Sequence, residues 1–306
     1  QRPSRHPMVL DPRALFHAKR GASPARISSR CSWLRAILAA VRADEESKKG
    51  EPTSPGGAPP PYGEGERRRE LLITLAVFAA VTVACALLFQ LRRVPLVARF
   101  MHDLIAATFL IVPTLLIMRR REEFADYGLV ARPLGRGLIT FGLVSAVVFP
   151  LFTAGFLIYY RTICGWLAQG ALLPAVYKRM CLTFRGLAGF RPRLDKRFAW
   201  LAAAQFLVVA LPEEYFFRGY LQTRVERVWP PRRRLFGGGL GVGLVITSIL
   251  FALGHVLVDF NPLRLAVFFP SLVFGWMRSA TGSILASVLF HACSNLISDF
   301  LHRSFF

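Results

Sequence analysis

The sequence predicts an all-α fold, a polytopic transmembrane bundle of about seven or eight helices, on three observations. Of its 306 residues 54% are hydrophobic and the mean hydropathy is +0.42, more apolar than a soluble fold can cover with polar surface. From about residue 71 onward the apolar residues come in long runs rather than in a single stripe along each helix. Runs of roughly 18 to 20 such residues are long enough to cross about 30 Å of hydrocarbon. The arginines, finally, sit mostly in the gaps between those runs, where loops near an anionic membrane surface carry them.

The same placement accounts for the net charge of +21. In a soluble protein that charge would suggest nucleic acid, but no zinc-finger spacing, RNP motif or basic–aromatic stripe accompanies it, and nucleic acid is not an expected partner. The lipid bilayer is. The five cysteines, Cys31, Cys85, Cys164, Cys181 and Cys293, form no C-x-x-C pair and no metal spacing, so no disulfide framework is expected.

Taken in order, residues 1–70 form a basic tail rich in Pro and Gly between Ser54 and Gly65, too poor in apolar surface to fold alone. Within it Trp33, Leu34, Ile37, Leu38 and Val41 share a helical face that, with Arg30, Arg35 and Arg42 nearby, suits a membrane surface; a disordered tail or a misplaced start fits equally. No apolar run follows a short basic start, so no signal peptide is expected. Residues 71–197 read as the N-terminal transmembrane helices: Leu71–Gln90 after Arg67-Arg68-Arg69, Leu104–Met118 before Arg119-Arg120-Arg121, and Leu138–Tyr159. Ile163–Val176, broken by Gly165, Gly170 and Pro174, suits a short span, a re-entrant piece or an interfacial helix. After a basic loop, residues 178–197, a span starts near Phe198 and runs through Leu211 into an acidic motif. A second basic loop, 224–239, precedes Leu240–Val258; Asp259-Phe260-Asn261-Pro262 makes a turn, and Leu263–Met277 and Ser283–Phe300 follow. Orientation stays open: the arginine triplet before Leu71 favours a cytoplasmic N-terminus, but the two basic loops flank one span and cannot both be cytoplasmic if it crosses.

Charged side chains inside spans cost about 2.5 to 3.5 kcal/mol each, which makes every one a candidate site. The first place is Leu211-Pro212-Glu213-Glu214-Tyr215-Phe216-Phe217-Arg218. Glu214 and Arg218 lie one helical turn apart and can pair, while Glu213 points about 100° away, free to face a cavity as a general base. A solvated cluster at a helix end fits those residues too. The second place is Phe251-Ala252-Leu253-Gly254-His255 and the third His291-Ala292-Cys293-Ser294-Asn295. His291 and Asn295 project from one face, and each of these polar residues also suits interhelical hydrogen bonding.

Together the three places say more than each alone. Glu-Glu-x-x-x-Arg, Phe-x-x-x-His and His-x-x-x-Asn follow in order, about 40 residues apart, in apolar helices. That pattern resembles the CPBP family, the CAAX proteases and bacteriocin-processing enzymes, over roughly residues 198–300. The resemblance implies an intramembrane endopeptidase with a conical catalytic cavity, its core in residues 198–306. It implies that Glu213 and His255 activate water, that His291 and Asn295 stabilise the oxyanion, and that Glu214, Arg218 and Phe251 support them. The implied partner is a protein or peptide with a membrane-proximal cleavage site.

A metal-free mechanism is expected, because His-Glu-x-x-His is absent and Asn is a poor zinc ligand; Glu213, His255 and His291 are the candidates should a divalent metal such as zinc bind. Members of the family are often labelled metalloproteases. The serine nucleophile of rhomboid-type and the paired aspartates of presenilin-type proteases are missing. A scaffold or immunity protein of the same fold is the alternative, and a transporter would show internal repeats that are not seen. The Ala/Arg/Gly-rich composition looks bacterial, which points to the plasma membrane; within the family, the Leu-Pro-Glu-Glu-Tyr-Phe-Phe-Arg-Gly-Tyr-Leu-Gln stretch resembles a myxosortase-like branch, which implies cleavage of C-terminal sorting tails.

Overall fold

The computed structural model describes residues 63–130, 134–172, 174–194 and 196–306. The helical face expected around Trp33 lies outside them. The described residues form an all-α bundle with one small β-hairpin. The helices are α1 (Glu64–Gln90), α2 (Pro95–Arg120), α3 (Leu134–Ala168), α4 (Ala175–Thr183), α5 (residues 198–228), α6 (Val242–Asp259), α7 (Phe268–Thr281) and α8 (Leu285–Phe305). The hairpin pairs β1 (Arg233–Leu235) with β2 (Gly238–Leu240). Four helices, α1 with its following turn, α2, α3 and α6, are long and apolar enough to cross a membrane. Exposed Leu72, Val83, Leu138, Leu143, Leu151 and Ile158 on these helices are the surface that a lipid phase requires.

Apolar runs locate the helices but not their ends. α1 starts at Glu64, ahead of Leu71, through a charged turn, and α2 at Pro95, ahead of Leu104, through a stretch that mixes Leu96, Val97, Phe100 and Met101 with Arg99, His102 and Asp103. The segment 163–176 is not a span of its own. Its first part completes α3, the chain turns at Gly170 (φ 87°) and Pro174, and α4 begins. That reversal brings Cys164 and Cys181 together in a disulfide with a Cα–Cα distance of 5.4 Å, which corrects the expectation of none. No short spacing signals it, since a turn between two helices makes the contact. The loop expected at 224–239 is partly ordered, closing α5 and forming the hairpin. The turn at Asp259–Pro262 is where the sequence places it: Phe260 adopts φ 55° and the Asn261 side chain accepts from the Leu263 N–H.

The long helices alternate in direction between two ends. At the hairpin end the start of α1 and the ends of α2 and α5 meet in an ion-pair network of Glu70, Arg120, Glu122, Arg224 and Arg227. The Ser283 hydroxyl, just before α8, donates to the Val130 carbonyl, just before α3. Trp276 of α7 donates to Leu235 of the hairpin. At the opposite end the segment after α4 is bonded to the end of α8, Arg185 to Phe305 and Arg191 to Ser304. Tyr160 of α3 meets His302 of α8 at 3.2 Å. The core lies between, where Phe78, Phe216, Phe217, Phe251, Phe274 and Phe290 join α1, α5, α6, α7 and α8.

Candidate active site

α5 is not a uniform helix. It widens into π-helical turns at Gln205–Ala210 and Tyr215–Gln222, on either side of Leu211–Glu214. Pro212 stands between the two and has no N–H to give to the preceding turn, a local reason for the ladder to change register. π-Turns of this kind concentrate at functional sites. Gly219 lets the second wide turn close on its neighbour, since a Cβ there would sit 3.0 Å from the Tyr127 carbonyl oxygen.

The two adjacent glutamates face different surroundings. Glu214 is fully buried; its Oε1 lies 2.9 Å from Nδ1 of His291 and 3.1 Å from Nη1 of Arg218. Arg218, also buried, donates from Nη2 to the Ser271 hydroxyl at 2.9 Å, and its guanidinium lies over the Phe251 ring at 4.0 Å. The helical pairing of Glu214 and Arg218 expected from spacing is therefore present, with a third partner in His291. A buried carboxylate with two cationic or donor neighbours avoids most of the cost of an unpaired charge.

Glu213 turns the other way. Its buried Oε2 has no hydrogen-bond partner among the described residues. It lies 3.7 Å from Nε2 of His255 and 3.9 Å from Nε2 of His291. Those separations are too long for direct hydrogen bonds and suit groups bridged by one small molecule. Each imidazole is held from behind: Nδ1 of His255 bonds the Phe251 carbonyl at 2.9 Å, and Nδ1 of His291 bonds Glu214. A carbonyl or a carboxylate can only accept, so both Nδ1 atoms carry the proton and both Nε2 atoms face Glu213. Phe274 stacks on His291 at 4.8 Å and fixes its plane.

A cavity of about 170 Å³ reaches this point, lined by Cys85 and Phe89 of α1, Phe109 of α2, Glu213 and Phe217 of α5, and His255 of α6. Asp259 and Arg264, paired to each other, also border it. The structure thus brings Glu213, Glu214, His255, His291, Arg218 and Phe251 into one cluster. Asn295 enters differently: its Nδ2 donates to Oε1 of Gln205, in the first wide turn of α5, at 2.9 Å. Among the described residues no group of three or more His, Cys, Asp or Glu is arranged to hold a metal ion.

Sequence reasoning missed Gln205, Ser271 and Phe274. Gln205 had a signal, an amide in the apolar run from Phe198 to Leu211. Ser271 and Phe274 had none, because nothing in α7 separates them from ordinary packing residues. Residues 195–297 match the family model for type II CAAX prenyl endopeptidases, described as Rce1-like. The match contains Gln205 and every residue of the cluster. No curated protein and no solved structure matches the chain.

Proposed function

We propose, from the match of residues 195–297 to the Rce1-like family model and from four helices long and apolar enough to cross a membrane, that the chain is an intramembrane endopeptidase of the CPBP class, cutting a peptide bond near the C-terminal tail or membrane segment of a protein. The observation that carries this reading is the unpartnered, buried Oε2 of Glu213, faced by two imidazole Nε2 atoms at the end of a cavity. A water between Glu213 and His255 would lose its proton to the carboxylate while the His255 Nε2 aligns it for attack. General-base assistance of this kind contributes about 10²- to 10⁴-fold.

The carbonyl oxygen becomes negative as the tetrahedral intermediate forms. Asn295 has a second N–H beyond the one given to Gln205 and can donate it to that oxygen. With Nδ1–H directed at Glu214, His291 donates from Nε2 only as the imidazolium, and the Glu214 carboxylate is the counter-ion that such a charge needs. Protonated Glu213 then gives its proton to the leaving amine. Arg218 and Phe251 hold this frame without touching the reacting atoms. No step in this sequence passes through a metal ion.

Purified protein in detergent, given a tagged peptide tail, tests the proposal. Cleavage present in the parent, lost in both Glu213→Ala and His255→Ala and unaffected by chelator is the expected result. Loss on chelation, restored by zinc, would replace the metal-free mechanism with a metal-assisted one on Glu213, His255 and His291. Variants that cleave as well as the parent would remove the site assignment.

A further inference from the structure

A second cavity lies away from the Glu213 cluster, between α3 and the last turns of α8. It measures about 790 Å³ and is lined by Phe149, Ala154 and Leu157 of α3, Ile297 and Leu301 of α8, and Phe190 of the segment after α4. That volume falls within the roughly 300 to 1,000 Å³ of sites that hold small ligands. Thr153 borders it as well, but its hydroxyl donates to the Phe149 carbonyl at 2.9 Å and is satisfied inside its own helix. Each residue of α8 turns by about 100°, which puts Ile297 and Leu301 roughly 120° around the helix from His291 and Asn295. The groove is therefore a separate site.

Its outer wall is a loop held in place at several points. The Cys164–Cys181 disulfide ties α4 to the end of α3. Beyond α4, the Arg191 N–H donates to the Ser304 carbonyl at 3.0 Å and the Arg193 N–H to the Ser304 hydroxyl at 3.2 Å. Past Phe190 the same segment borders an adjoining pocket of about 670 Å³, lined by Arg193 and Leu194 on the loop and by His302 and Arg303 on α8. Asp299 pairs with Arg303 at 2.6 Å. The balance at this end is still cationic, since residues 178–197 carry seven Lys or Arg against one acid, Asp195.

Apolar groove and basic pocket follow one another along both helices. Phe149 stacks on Phe290, and about three turns later Tyr160 meets His302, so α3 and α8 run parallel here. Both lead out of the groove into charge, at Arg161 and Arg303. α3 is one of the helices long and apolar enough to cross a membrane, so lipid meets this face. An empty apolar groove forfeits dispersion contacts along its lining, and basic pockets beside membrane helices hold anionic headgroups.

We propose that this groove binds one anionic phospholipid, with an acyl chain between α3 and α8 against Phe149 and Ile297 and the phosphate at Arg193 and Arg303. Charge complementarity selects the headgroup, and the apolar lining selects a lipid over a free phosphate. The site does not depend on the proteolytic reading, because none of its residues belongs to the Glu213 cluster.

Native mass spectrometry of the full chain in detergent, titrated with phosphatidylglycerol, phosphatidylcholine or inorganic phosphate, tests the proposal. One phosphatidylglycerol retained at least about tenfold more tightly than phosphatidylcholine, with no retained phosphate, is the expected result. Ala154→Trp fills the groove and leaves the charges, whereas Arg193→Glu reverses a charge and leaves the groove. Each should weaken that retention about tenfold or more, with the unfolding temperature in lipid-free detergent at the parent value. Ala154→Phe and Arg193→Gln take the place of either variant if it fails to fold. Equal retention of the two lipids overturns the headgroup assignment, and retention unchanged by filling the groove overturns the site. Phosphate held as tightly as the lipid would reduce it to an ion site. A dimer that Ala154→Trp dissolves would put a second copy of the chain in the groove and overturn the proposal.

Discussion

Two buried clusters of acids and bases lie along α5, and they are built on opposite principles. At the hairpin end each carboxylate oxygen has a cation: Glu70 pairs with Arg120 through one oxygen and Arg224 through the other. Glu122 takes Arg224 at 2.9 Å and Arg227 at 2.7 Å, and Tyr127 donates its hydroxyl to the same carboxylate. Burial, and then that hydrogen bond, push the Tyr127 phenol well above its ordinary range, so it stays a neutral donor. At the Glu213 cluster one oxygen of each glutamate is left without a hydrogen-bond partner, and that of Glu213 lies beside a cavity. Burial is common to both. What separates a strut from a reactive centre is whether the last lone pair is satisfied, since an unsatisfied buried acceptor costs about 1 to 3 kcal/mol unless something binds it.

The comparison breaks most visibly if the two clusters respond alike to substitution. Glu213→Gln removes a base that the fold does not use: peptide cleavage should fall about 10³-fold or more, within the range for general-base loss, with thermal stability in detergent at the parent value or above. Arg224→Ala does the reverse. It strips a cation shared by buried Glu70 and half-buried Glu122, a change that costs about 3 to 5 kcal/mol in comparable buried pairs. The measurement is the temperature of unfolding in mild detergent alongside cleavage per folded molecule. A stable Arg224→Ala protein, or a Glu213→Gln protein that fails to fold, would show that pairing does not divide the two clusters.

How much of this was legible in the sequence follows the same division. Glu213, Glu214, His255 and His291 could be named because a charge or an imidazole in an apolar helix has few reasons to be there. Their helical offsets separated the directions of the two glutamates, with Glu214 turned to Arg218 and Glu213 turned away from it. The all-α class was equally legible from the apolar runs. What could not be read was anything set by contact between distant segments. The pairing of Glu70 with Arg224 joins α1 to α5 across 154 residues of the chain. The disulfide depends on a reversal at Gly170, and the wide turns of α5 depend on how Pro212 is accommodated by its neighbours. Periodicity reports one helix at a time, whereas these features belong to pairs.

Asn295 sharpens the comparison at smaller amplitude. As an oxyanion donor its loss in Asn295→Ala should lower kcat about 10²-fold and leave KM nearly unchanged, because the charge it meets exists only in the transition state. If KM rises while kcat holds, Asn295 binds substrate instead and His291 is left as the remaining donor.

Gln205 gives the smallest effect and the most discriminating one. Its Oε1 holds the Asn295 amide at 2.9 Å from across the bundle, and it sits in the wide turn that Pro212 closes. A positioning residue acts only through its partner, so Gln205→Ala should lower kcat about tenfold, near 1.4 kcal/mol. The same substitution placed on Asn295→Ala should add almost nothing. Such a double-mutant cycle measures the coupling directly, and Gln205→Glu, which keeps an acceptor oxygen at the same distance, should recover part of the rate. Two independent losses that add would mean that Gln205 supports the wide turn itself rather than the amide. The unusual shape of α5 would then be what this residue maintains, with the aim of Asn295 only a consequence of it.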